Sequence, residues 1–133
     1  MRQEAKGKRQ KANGVGRDLD ERLLDFAVEI ARLAEALPKS AACRRVGDQL
    51  LRSGISVGAH YQEAQAAESR EDFVHKLQVA LKELRESHYW LQLLTRLGDG
   101  SSERLARVTD EAAQLRLILS KAVATAKGKA TRK

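Results

Sequence analysis

The sequence predicts an all-α fold, an antiparallel up-down-up-down four-helix bundle. Proline occurs once in 133 residues and aromatics make up 4%, while Leu, Ala, Glu, Lys, Arg and Gln dominate. Those six residue types lose little on entering a helix, whereas strands call for β-branched and aromatic runs that this chain lacks. Four stretches repeat apolar residues at steps of three and four, the period of one helix face. Short polar breaks separate the stretches, so neighbouring helices must run antiparallel. A chain of this length buries a core large enough for one domain without staples.

In the first helix Leu19, Leu23, Phe26, Ile30, Leu33 and Leu37 recur at steps of 4, 3, 4, 3 and 4, with Asp18 expected to cap the start and Pro38 to stop it. The second helix is expected from Ser40 to about Ala66, marked by Val46, Leu50, Val57 and Tyr61. Gly47, Gly54 and Gly58 interrupt it, each at a cost of about 1 kcal/mol against Ala. Close approach of another helix, within the bundle or across a subunit interface, is the simplest reason for such small residues. Ser69 and Asp72 resemble a capping box opening the third helix, whose stripe is Phe73, Leu77, Leu81, Leu84, His88, Leu91 and Leu94, ending at Leu97 and Gly98. Ser102 is expected to cap the fourth, where Leu105, Val108, Ala112, Leu115, Leu119 and Ala122 step by 3, 4, 3, 4 and 3. The predicted division is a disordered basic arm over 1–17, the bundle over 18–126 and a disordered basic tail over 127–133.

The net charge of +7 is unevenly placed. Arg2, Lys6, Lys8, Arg9, Lys11 and Arg17 against Glu4 give +5 in residues 1–17, and Lys121, Lys127, Lys129, Arg132 and Lys133 give +5 in residues 121–133, leaving −3 between them. Flexible basic arms take phosphate without reading sequence, so these arms are the expected nucleic-acid contacts. Tails of this composition also serve simply to keep termini solvated. The one cysteine, Cys43, has no partner for an intramolecular disulfide, no apolar run approaches a membrane span, and the N-terminus lacks an apolar leader core. A cytoplasmic location is expected, with no membrane association.

Polar residues form a second pattern on the second helix. Gln49, Arg52, Ser56, His60 and Glu63 step by 3, 4, 4 and 3 along one side, next to the small-residue positions. A partly buried polar stripe requires partners, and Glu83 or Glu86 of the third helix is the expected carboxylate for Arg52. Together with Gly54 and Gly58 these residues make up the expected assembly network. His60 and Glu63, and Glu71 and His75, have spacings that put ligands on one face. A di-iron bundle, however, needs Glu-x-x-His on two helices and a Glu from each of two others, so no metal or other cofactor is expected. No nucleophile elbow, phosphate loop or Cys/His motif pair occurs, and no enzymatic reaction is expected. The adjacent Tyr89 and Trp90 diverge by about 100° on a helix, so one is expected to pack inward while the other covers a helix or subunit contact.

The segment from Gln49 to Leu94, QLLRSGISVGAHYQEAQAAESREDFVHKLQVALKELRESHYWLQLL, resembles the four-helix-bundle family named after proteins encoded within intervening sequences of bacterial 23S ribosomal RNA. The resemblance lies in Gln49, Arg52, Ser53, Gly54, Ser56, Val57, Tyr61 and Glu63, then Ser69, Asp72 and Phe73, then Ala80, Leu81, Lys82, Glu83 and Glu86. His60 stands where the family pattern usually has Asn, so the hydrogen bonds of that amide must be remade by an imidazole or lost. The resemblance implies a bundle that assembles into a homopentameric ring. It also implies kinship with an accessory protein of diversity-generating retroelements that binds nucleic acid and a reverse transcriptase, and it implies no enzymatic activity. The expected function is a non-enzymatic homo-oligomeric scaffold or adaptor that binds nucleic acid, RNA first and DNA second, through its basic arms. The alternative is a module that holds a partner protein, with the tails serving only solubility.

Overall fold

Three serines start three of the helices. Ser40 Oγ accepts from the Cys43 amide at 3.1 Å, Ser69 Oγ from the Asp72 amide at 3.1 Å, and Ser102 Oγ from the Leu105 amide at 3.0 Å. Each satisfies an amide that the first turn leaves without a carbonyl. In this computed structural model, which describes residues 2–98 and 102–131 with side chains for 18–98 and 102–128, the elements are α1 (Arg2–Ala36), α2 (Ala41–Gln65), α3 (Arg70–Leu97) and α4 (Glu103–Thr131). Gly98 closes α3 in the left-handed region at φ 79°, its amide bonded to the Leu94 carbonyl at 3.2 Å.

The start of α1 differs from the expected cap. Asp18 lies inside the helix, because the backbone is helical from Arg2. The stretch over 2–17 is rich in Lys and Arg, and although Gly7, Gly14 and Gly16 oppose a helix, extending an existing helix costs far less than nucleating one. The side chains of residues 1–17, on which the arm reading rests, lie outside the described ones. At the other end α4 likewise continues to Thr131.

Around the bundle α1 packs on α2 and α4, and α3 packs on α2 and α4, with no contact across either diagonal among the described residues. This cyclic order of sequential neighbours is the up-down-up-down arrangement. The α2–α3 interface is the most extensive and the α1–α4 seam the least. Leu23, Phe26, Ile30, Leu50, Val57, Leu77, Leu84, Leu91, Leu94, Leu115 and Leu119 form the centre of the core, each large side chain worth about 1.5–3 kcal/mol by burial. Late in α4 the buried face passes from the expected Ala122 to Val123 and Ala126, the drift of a 3.6-residue turn against a strict heptad.

The glycines of α2 are not equivalent. A Cβ on Gly54 would lie 2.8 Å from Ile30 Cγ2 and 2.9 Å from Ile30 Cγ1, and Ile30 is fully buried and β-branched, with no rotamer to yield. At Gly58 the nearest atom would be Leu23 Cβ at 3.4 Å, ordinary contact, and at Gly47 only the tip of Leu37 at 3.3 Å. Close approach of α1 thus requires Gly54. Gly58→Ala is expected to stabilise the chain by up to about 1 kcal/mol through helix propensity. Gly54→Ala is expected to destabilise it by about 1–3 kcal/mol through overpacking. Urea unfolding of the two variants checks the opposite signs.

Candidate functional site

The α2 stripe meets α3 chiefly at Arg52. Its guanidinium donates to Glu83 Oε1 at 3.3 Å and to Glu86 Oε2, and Glu86 Oε2 also accepts from Trp90 Nε1 at 3.1 Å. The hydrogen bond from Arg52, opposed by burial and reinforced by Trp90, holds the Glu86 carboxyl below the usual carboxylate range. Hydrogen bonding to Glu86 raises the Arg52 guanidinium in turn. The expected pairing is present, but the Arg52 side chain is 50% exposed, so the pair is a solvated clasp across the two helices.

The rest of the stripe does not join it. Ser56 Oγ turns back to the Arg52 carbonyl at 2.7 Å, His60 Nδ1 lies 3.7 Å from Glu63 Oε1 on its own helix, and Gln49 is half-buried. The buried polar link between α2 and α3 is instead Ser53 with Ser87, both 0% exposed, their hydroxyls 2.8 Å apart. Ser87 Oγ reaches the Glu83 carbonyl at 3.0 Å and Ser53 Oγ has only a long contact of 3.4 Å to the Leu50 carbonyl. The simplest chain runs from Ser53 through Ser87 to the Glu83 backbone. Ser53 follows Arg52 directly in the sequence, but it lies outside the polar stripe that the spacing marks.

Further polar contacts join α4 to both of its neighbours. Arg116 Nη1 lies 2.9 Å from His88 Nδ1, and His88 is 9% exposed within the apolar stripe of α3. Arg116 is a donor at every pH, so the imidazole must present a lone pair at Nδ1. Burial, and then the Arg116 charge, push His88 below its ordinary range. On the opposite side Arg22 makes a bidentate bond to Glu111 at 3.0 and 2.7 Å, and Glu29 faces Arg104 at 3.7 Å and Arg107 at 3.8 Å. Ion pairs therefore line the narrow α1–α4 seam.

Of the aromatic pair, Trp90 is half-buried and bonded to Glu86, while Tyr89 is 59% exposed and meets the indole edge-on with ring centres 5.1 Å apart. Among the arm residues Lys127 is exposed. The side chains of Arg2, Lys6, Lys8, Arg9, Lys11, Arg17, Lys129, Arg132 and Lys133 lie outside the described ones. No described helix is long and apolar enough to cross a membrane, and no group of three or more His, Cys, Asp or Glu side chains gathers at ligand distance among the described residues.

Three substitutions rank these links. Ser87→Ala strands the Ser53 hydroxyl in the core and is expected to cost about 1–2 kcal/mol. Ser53→Ala leaves Ser87 its carbonyl and should cost less, while the solvated Arg52→Ala is expected to cost no more than about 1 kcal/mol; urea unfolding gives the order. For His88, the folded chain binds its proton less readily than the unfolded chain, whose imidazole titrates near 6.5. The stability it contributes is complete above that value and is lost as the pH falls below it. The urea midpoint should therefore drop between about pH 7.5 and about pH 5.5, and His88→Gln should shrink that drop.

The family model for "23S rRNA-intervening sequence protein" matches residues 19–121. A crystal structure at 1.70 Å of a protein of unknown function from the S23 ribosomal protein family of Bacteroides thetaiotaomicron VPI-5482 is 34% identical, with a TM-score of 0.74 over 81% of this chain and 96% of that one. No curated protein matches. The matched span runs from the first core leucine of α1 into the last turns of the core in α4, and on that basis the chain belongs to the family of 23S rRNA-intervening sequence proteins.

Proposed function

We propose that this protein is a non-enzymatic, homo-oligomeric scaffold that binds nucleic acid, RNA in particular, in a cytoplasmic setting. The observation that carries the reading is the charge partition: +5 in residues 1–17 and +5 in residues 121–133, against −3 between them. A homopentameric ring would gather about fifty positive charges from these ten termini, enough for strong, salt-sensitive and sequence-neutral attachment to phosphate. Membership in a family named for 23S rRNA intervening sequences supports an RNA context.

Self-association has separate support. Leu24 on α1 and Leu51 and Ile55 on α2 are exposed, Leu24 by 63%, and by helical phase they flank the line where α1 and α2 meet. Apolar side chains grouped on one side of a bundle are suited to cover by a second copy. The same patch favours a second reading, in which the assembly holds a partner protein such as a reverse transcriptase and the tails serve solubility.

Light scattering on the full chain, with and without a labelled RNA, tests the first reading. The expected result is a mass several times that of one chain and RNA affinity that falls steeply with salt. Replacing Arg2, Lys6, Lys8, Arg9 and Lys11 by Gln should weaken binding and flatten its salt dependence. A monomer, or RNA affinity indifferent to these substitutions, would overturn it.

A further inference from the structure

The net −3 of the middle segment conceals a sorting of charge by face. On α3, Gln78, Lys82, Arg85, Tyr89 and Arg96 follow at steps of 4, 3, 4 and 7, one side of the helix at 100° per residue. This side borders α4, since Gln78, Leu81, Lys82, Arg85, Val123 and Lys127 together line a groove of about 440 Å³. Lys82, Arg85, Arg96 and Lys127 are exposed, as is Tyr89, one turn from Arg85.

Apart from Glu71, the acids of these helices lie on other sides. Glu83 and Glu86 are turned to α2, where they take Arg52, and Asp72 pairs with Lys76 at 3.4 Å. Glu111 faces α1 through Arg22, and Asp110, a third of a turn from Arg116 in phase, accepts from Gln114 at 3.0 Å. Glu71 shares the side of Arg85 but sits at the start of α3, about three turns before Lys82. The groove lining thus carries three cations and no carboxylate. From Lys127 the chain continues into Lys129, Arg132 and Lys133.

Cations in a row beside an exposed ring match a sugar-phosphate backbone whose bases have a stacking surface. A lipid surface would call for apolar anchors along the row, whereas this one is interleaved with Gln78 and Gln92. We propose that the α3–α4 groove lined by Lys82, Arg85 and Lys127, with Tyr89 and Arg96 continuing the same side of α3, is a track for single-stranded RNA. This rests on the nucleic-acid reading above and gives the folded bundle a contact surface of its own, besides the arms.

The test titrates a labelled oligouridylate of about twelve nucleotides into the full chain across a range of salt. Lys82→Gln with Arg85→Gln should lower the slope of log affinity against log salt by about 1.4, two phosphates at about 0.7 each. Tyr89→Ala should weaken binding by at least about fivefold with the slope kept, the signature of lost stacking. Lys82 and Arg85 are exposed, so the melt of that variant should be unchanged, while Tyr89→Ala also loses its edge contact with Trp90 and should melt slightly lower. If the arm substitutions alone reduce binding while these variants keep wild-type affinity and slope, the track is overturned and the arm mechanism stands. Loss of binding in the groove variants with the arm variant unaffected supports the track and overturns the arm mechanism. A full chain that binds no oligouridylate, or that binds phosphatidylserine vesicles in its place, overturns both.

Discussion

Helix α2 is wedged between α1 and α3, and its closest approach to each is set by adjacent residues. Gly54 leaves room for Ile30 of α1, whose methyl carbon would sit 2.8 Å from any added Cβ. Ser53, the residue before it, turns a hydroxyl 2.8 Å from that of Ser87 in α3. A side chain at the first position would push α1 away, and an apolar one at the second would break the buried link between the helices while leaving Ser87 its Glu83 carbonyl. The remaining layers follow from this fit, since α1 and α3 held on α2 define the slot that α4 closes with Leu105, Leu115 and Leu119.

How α4 fills that slot differs on its two flanks. Toward α3 the packing is extensive and includes the Arg116–His88 contact, which works only while the imidazole is neutral. Toward α1 the contact is narrow and lined by Arg22–Glu111 and by Glu29 with Arg104 and Arg107. Partly solvated ion pairs hold less firmly than a dry interface and weaken with salt. Opening of the bundle is therefore easiest along α1–α4, which leaves the α2–α3 pair as its most persistent part.

Pairing carboxylates with arginines on the α2–α3 and α1–α4 sides has an electrostatic result. Glu83, Glu86, Glu29 and Glu111 are drawn to Arg52, Arg104, Arg107 and Arg22, and the α3–α4 side keeps Lys82, Arg85 and Lys127 around one groove. A chain whose central residues sum to a negative charge can still present a positive face, because potential at a surface depends on where charges lie and not only on their sum.

The helices themselves were legible from spacing: the stripes of Leu19 to Leu33, Leu77 to Leu94 and Leu105 to Leu119 are the core, and Ser40, Ser69 and Ser102 start helices and Gly98 ends one where their chemistry places them. Arg52 with Glu83 and Glu86 was legible too, since a cation on one helix and acids on the next pair readily at long reach. Its solvent exposure was not, and neither was the choice of Ser53 and Ser87 as the buried link. Periodicity along one chain determined which face of each helix is apolar, because that depends only on residues three and four apart. Which flank of that face meets which neighbour depends on helix-to-helix distance and rotation, quantities shared between segments distant in sequence. For that reason only the tertiary structure decided that Gly54, and not Gly58, is sterically required, and that the basic residues of α3 and α4 share a groove.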